Sequence, residues 1–187
     1  VYLFTFTLFP RNFLFYPSWL LGIVLGHVLY TLGLIFATGN LRIWKHIMAF
    51  GDVVKFCFIS PLILSRTFAG AVLEEIIYRG FFQDIFVKYL NAPLLGIIIV
   101  AFGFSLIHKH IFKSTLSQNI EFFVFSIAIG VIYYYTSDLG LVSMIHFFRN
   151  MSTNYLDFIE KLEEVNDTEQ AITELELQLS QMGLRRE

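Results

Sequence analysis

Phe68-Ala-Gly-Ala-Val-Leu-Glu-Glu-Ile-Ile-Tyr-Arg-Gly-Phe-Phe82 sets two adjacent carboxylates, Glu74 and Glu75, and one cation, Arg79, in a run that is otherwise almost wholly apolar. The surrounding composition makes that placement costly. Of 187 residues, 56% are hydrophobic and only 15% charged, and the mean hydropathy is +0.66. Those values lie outside the range of soluble domains and identify an integral membrane protein. An ionised side chain at the bilayer centre costs at least ~2.5–3.5 kcal/mol, so acids in such a run pair, face a wet cavity and mark function. At about 20 residues per spanning helix, the length suits one all-α, polytopic transmembrane bundle with no room for a second folded domain.

Charge divides the chain near residue 155. The segment 156–187 has nine acidic and three basic side chains, a net of −6, whereas 1–155 has six acidic and ten basic, a net of +4. The basic residues are scattered, without the clustering that nucleic-acid binding requires. A lone Cys57 excludes an internal disulfide and a Cys-based zinc finger. Residues 1–16 do not read as a signal peptide.

The apolar run from Trp19 to Thr38, interrupted only by His27, predicts a spanning helix that stops at Gly39-Asn40. Ile47–Leu64 is broken by Asp52, Lys55 and Pro61 and reads as a kinked span or as a helix lying partly in the interface. A helix from Ser65 to Tyr89 carries the paired acids, and Asn91-Ala-Pro93 turns into Leu94–His108. After a polar loop, spans follow at Ile120–Thr136 and Leu141–Tyr155, joined by the turn Ser137–Gly140. The chain thus divides into a membrane domain, 1–155, and an acidic amphipathic tail, 156–187. In the tail Leu156, Ile159, Leu162 and Val165, then Ile172, Leu175, Leu179 and Met182, recur at helical spacing on either side of a break at Asn166-Asp167-Thr168. That helix is expected to rest against the body or to pair with a partner.

Three polar clusters stand where polarity is expensive. Glu75 and Arg79 are i and i+4, a spacing that permits an ion pair, while Glu74 points about 100° away. His108 closes its helix, and His146 and Asn150 lie one turn apart on the last span. Taken singly, each has a bland reading: an interfacial histidine, interhelical hydrogen-bond glue, a structural ion pair. Depth brings them together. The turns at Asn91 and Asp138 fall on one side of the bilayer, and at ~1.5 Å rise per residue Glu74 and His108 lie about 24 Å from that side, Asn150 about 18 Å and His146 about 12 Å.

In order, Glu74-Glu75-Ile-Ile-Tyr-Arg79 with Gly80, Phe104-Ser-Leu-Ile-His108 and His146-Phe-Phe-Arg-Asn150 resemble the three motifs of the CPBP family, the CAAX- and bacteriocin-processing intramembrane proteases also called the Abi family. Gly130-Val-Ile-Tyr-Tyr-Tyr-Thr-Ser-Asp-Leu-Gly140 resembles that family's approach to its last motif. The resemblance covers roughly residues 65–155.

The resemblance implies an endopeptidase. Glu74 would be the general base that, with His108, activates water for attack on a peptide carbonyl. His146 and Asn150 would stabilise the oxyanion, as amide hydrolysis requires. Glu75 and Arg79 would hold the first helix and its local field, and Phe104 would pack behind His108. No cofactor is expected in this reading. The alternative is a zinc enzyme with Glu74, His108 and His146 as ligands and water at the open position. His110 competes with His108 but lacks a Phe four residues before it. The chain has no His-Glu-x-x-His motif, Asp52 lacks the surroundings of a membrane aspartyl protease, and Ser105 lacks those of a rhomboid nucleophile. A reading of a different class is a non-catalytic bacteriocin-immunity or accessory membrane protein. The expected partners are the bilayer and a peptide or protein substrate at the membrane, prenylated CAAX tails or leader peptides among them. Lys109 and Lys113 point the nearby site and the tail toward the cytoplasm.

Overall fold

Asp138 begins the helix around which the others are arranged. Its carboxylate accepts the Leu141 backbone N–H at 2.9 Å, and every residue from Asp138 to Phe148 is buried. A helix buried on all sides must be apolar all round, as Leu139–Phe148 is except at Ser143 and His146. A computed structural model describes residues 16–38, 48–107 and 115–184, and among these the elements are α-helical or π-helical with no strand. In chain order the α-helices are α1 Tyr16–Thr38, α2 Phe50–Phe56, α3 Pro61–Glu75, α4 Asp84–Leu90, α5 Pro93–Ile107, α6 Leu116–Thr136, α7 Leu139–Val165 and α8 Thr168–Leu184. A π-helical segment, Ile76–Gln83, joins α3 to α4.

By length and composition, Pro17–Thr38 of α1 and Leu116–Thr136 of α6 are each able to cross a membrane. The bent pair of α2 with Pro61–Leu90 adds a third crossing if it counts as one span. The expected span at Leu94–His108 corresponds to α5, an apolar helix of 15 described residues, about 22 Å long. The last expected span forms part of α7, at the centre of the bundle.

The α1–α7 contact is a backbone-to-backbone approach. A Cβ on Gly22 would lie 2.6 Å from Met144 Cβ, and one on Gly26 would lie 2.6 Å from the Ile145 carbonyl oxygen. Small residues four apart allow this closeness, and close packing is what drives association where lipid is as apolar as the side chains.

Within the broken stretch 47–64 the described residues, 48–64, include α2 and the start of α3, with a 105° bend between the two helices. Val53 and Phe56 are buried, while Asp52 and Lys55 pair at 3.0 Å on the exposed face. Pro61 occupies the first turn of α3, where a missing N–H costs nothing, and the N-cap Ser60 Oγ accepts from Ile63 N at 3.1 Å. Ser60 also donates to Glu176 of α8. An acidic helix cannot lie in hydrocarbon, so the elbow it docks on is at the aqueous boundary; this favours the interfacial reading of the segment.

The tail is continuous with the body at its start. Helix α7 runs through Tyr155 to Val165 without interruption and ends where Asn166 takes a left-handed φ of 53°. The expected break at 166–168 is therefore present, and α8 folds back from it. Ala171 and Leu175 are fully buried in one cluster with Phe56, Ile63, Met151 and Phe158.

Candidate active site

Four-residue spacing on the acid-bearing helix sets the site. Ala71, Glu75, Arg79 and Gln83 are all buried. In an unbroken α-helix a period of four drifts by about 40° at each step, turning the last of these roughly 120° from the first. The wider π-helical turn after Glu75 offsets that drift and keeps Arg79 and Gln83 facing the core. Such turns recur at functional sites.

Arg79 Nε donates to Glu75 Oε2 at 3.1 Å, confirming the expected ion pair, and both side chains are completely buried. Arg79 Nη2 donates to Ser126 Oγ at 2.9 Å, and one step further Gln83 Nε2 donates to the Gly130 carbonyl at 2.8 Å. The two contacts are four residues apart on both partners, so the π segment and α6 run parallel. A Cβ on Gly130 would lie 2.9 Å from Gln83 Oε1 and 2.9 Å from Ile97 Cγ2, so glycine sets this approach.

Glu75 has a second partner. Its Oε1 meets His146 Nδ1 at 2.8 Å. That contact at Nδ1 turns the opposite ring nitrogen toward the other acid. His146 Nε2 lies 3.7 Å from Glu74 Oε2. Glu74 is 22% exposed where Glu75 is wholly buried, so the adjacent carboxylates have different surroundings. The imidazole is fixed edge-on between rings, 5.8 Å from Phe104 and 6.1 Å from Phe125.

Phe104 is fully buried and has a wider role than the sequence suggested. It stacks on Phe122 at 5.4 Å, meets Tyr78 edge-on at 4.7 Å and lies beneath the Arg79 guanidinium at 5.5 Å. Thus the second motif contributes a wall shared by Arg79 and His146. His108 and His110 lie outside the described residues, as do Lys109 and Lys113. Asn150 is half-buried one turn beyond His146.

Between His146 and Asn150 a second ion pair was not anticipated. Arg149 Nη2 donates to Glu121 Oε2 at 2.7 Å, with the guanidinium 4.5 Å above the Phe125 ring and 5.3 Å from that of Phe122. Both charges are largely buried, and Gly33 of α1 leaves room for the Glu121 carboxylate. The sequence signal was a single acid near the start of an apolar span and a single base near the end of another.

Glu74 and His146 supply two of the three ligands in the zinc alternative. Among the described residues no group of three His, Cys, Asp or Glu side chains could hold a metal ion. The third ligand of that set, His108, lies outside the described residues.

An all-α membrane bundle with an adjacent carboxylate pair converging on one buried imidazole defines a class: an integral membrane protein with an internal polar site. Residues 56–152 match the type II CAAX prenyl endopeptidase, Rce1-like family, and the chain belongs to that family of CAAX proteases. The match spans all three motifs and the elbow before them. No curated protein and no solved structure matches the chain.

Proposed function

We propose that the protein is an intramembrane endopeptidase that cleaves a prenylated, CAAX-type peptide by water attack, with Glu74 as the general base. The observation that carries this reading is the unequal setting of the two acids around His146. Glu75 is sealed and committed to Nδ1 and Arg79, whereas Glu74 is partly open and faces Nε2 at 3.7 Å. That separation is too long for a direct hydrogen bond and leaves reacting atoms room between the two side chains.

Glu74 takes a proton from the attacking water, with His108 as the second group on that water, and a tetrahedral oxyanion forms at the peptide carbonyl. His146 donates to it from Nε2, joined by Asn150. Glu75 positions His146, and Phe104 supports both His146 and Arg79. The site and the α8 side of the bundle face the cytoplasm, and α8 is available to a partner through its exposed acidic face.

Full-length protein in detergent, supplied with a prenylated CAAX peptide, tests the assignment. Glu74→Gln and His146→Ala each lower turnover by about 10²-fold or more without removing the protein from the membrane. Full activity in both variants would defeat it. Cleavage that stops with chelator and returns with stoichiometric zinc would replace the metal-free mechanism. An inactive wild type that still protects cells from a bacteriocin would favour the immunity reading.

A further inference from the structure

Upstream of Glu74 on α3 the helix presents an open, nearly featureless face. Arg66, Ala69 and Leu73 are exposed, and a Cβ on Gly70 would meet nothing within 4 Å. Arg66 makes no ion pair among the described residues, while the other described arginines, Arg79 and Arg149, are each tied to a carboxylate. Arg66, Gly70 and Glu74 are i, i+4 and i+8, so they form a shallow stripe that turns about 80° along its length. Eight residues of helix separate Arg66 from Glu74 by about 12 Å.

We infer that Arg66 is a specificity-determining residue that binds the free C-terminal carboxylate of the peptide whose scissile carbonyl lies at Glu74 and His146. The inference rests on the CAAX-protease reading of the site. A CAAX tail carries three residues between its prenylated cysteine and its carboxylate. Three extended residues span about 10–11 Å, close to the Arg66–Glu74 rise. With the cysteine carbonyl at the catalytic pair, the released tripeptide lies antiparallel to α3 over Gly70, beside Leu73. Its terminus meets the planar guanidinium, which binds a carboxylate through two parallel hydrogen bonds. Arg66 is six residues from the N-cap Ser60, about 9 Å, so its head reaches the aqueous boundary and a carboxylate arriving from water meets it there. The same chemistry would serve a phospholipid phosphate, and the test separates the two.

Cleavage is compared for a prenylated CAAX peptide and its C-terminal amide, using full-length protein in lipid-free detergent. The wild type shows a KM for the carboxylate roughly ten- to hundredfold below that for the amide. Arg66→Gln brings the two KM values together and leaves kcat within about twofold, and Arg66→Lys restores part of the difference. Undiminished discrimination in Arg66→Gln overturns the proposal, as does a loss that falls equally on both peptides. An Arg66→Gln defect seen only when phospholipid is present assigns the arginine to a lipid headgroup and also overturns it. If the wild type cleaves neither peptide, the protease reading fails by itself. Fluorescence anisotropy of the two intact peptides then decides the role of Arg66, since equal affinity in the wild type removes it.

Discussion

Glu75 holds two partners with its two oxygens: Oε1 meets His146 Nδ1 at 2.8 Å, and Oε2 accepts from Arg79 Nε at 3.1 Å. One acid thus ties the first motif to the third across α3 and α7. Replacing it with Gln leaves Arg79 buried without its counter-ion and removes the acceptor that fixes the imidazole. Breaking one side of a buried pair costs about 3–5 kcal/mol. Glu75→Gln is therefore expected to lower the thermal unfolding midpoint in detergent substantially, whereas Glu74→Gln, on a partly open side chain, leaves it near wild type. Parallel melting curves check this, and equal destabilisation by the two changes would contradict the division of roles.

Ser126 belongs to none of the recognised motifs, yet it accepts from Arg79 Nη2 at 2.9 Å in a fully buried position. Ser126→Ala leaves that donor unsatisfied, at a cost of about 1–3 kcal/mol. The loss is expected to pass through Arg79 to Glu75 and His146, reducing kcat more than it raises KM. Steady-state kinetics on a soluble prenylated peptide, with a melting curve alongside, checks both parts.

Gly130 is constrained by what would surround its side chain. A methyl there would enter the space held by Gln83 Oε1 and Ile97 Cγ2, each 2.9 Å away, so α6 must move from the π segment. Gly130→Ala is expected to destabilise by about 1–3 kcal/mol through overpacking. Trimming the opposing side chain in Gly130→Ala/Ile97→Val should recover part of the loss, and a double-mutant comparison of unfolding midpoints measures it.

The three motifs were legible because membrane composition makes each polar residue conspicuous. Helix periodicity then placed Glu75 on Arg79 correctly. It did not give Glu75 its second partner, since the Glu75–His146 contact joins residues 71 apart and spacing along one helix says nothing of what faces it. The π-helical turn was equally hidden: Gly80 and the β-branched and aromatic residues of Ile76–Gln83 weaken a helix without specifying a wider winding, which keeps Arg79 and Gln83 buried together. The Gly22–Gly26 spacing on α1 was readable as a close helix contact, but nothing local named α7 as the partner. Spacing along α7 did not single out Arg149, because its counter-ion, Glu121, belongs to another helix.

The acidic tail looked separable because its charge changes sharply from that of the body. Its contacts indicate that it helps fold the elbow before the acid-bearing helix. Leu175 and Ala171 are wholly buried against residues of α2, α3 and α7, and Glu176 accepts from the N-cap Ser60. Leu175→Ala removes a packed side chain at a cost of about 2–5 kcal/mol. That destabilisation should appear in the body, because α3 continues from the elbow to Glu74. Ending the chain after Val165 is expected to lower the melting midpoint of the membrane domain and to reduce cleavage, whereas the exposed-site change Leu177→Ala should leave both near wild type. Unfolding followed by a reporter on α6, remote from the elbow, checks the coupling; an unchanged midpoint in the shortened chain would make the tail an independent attachment.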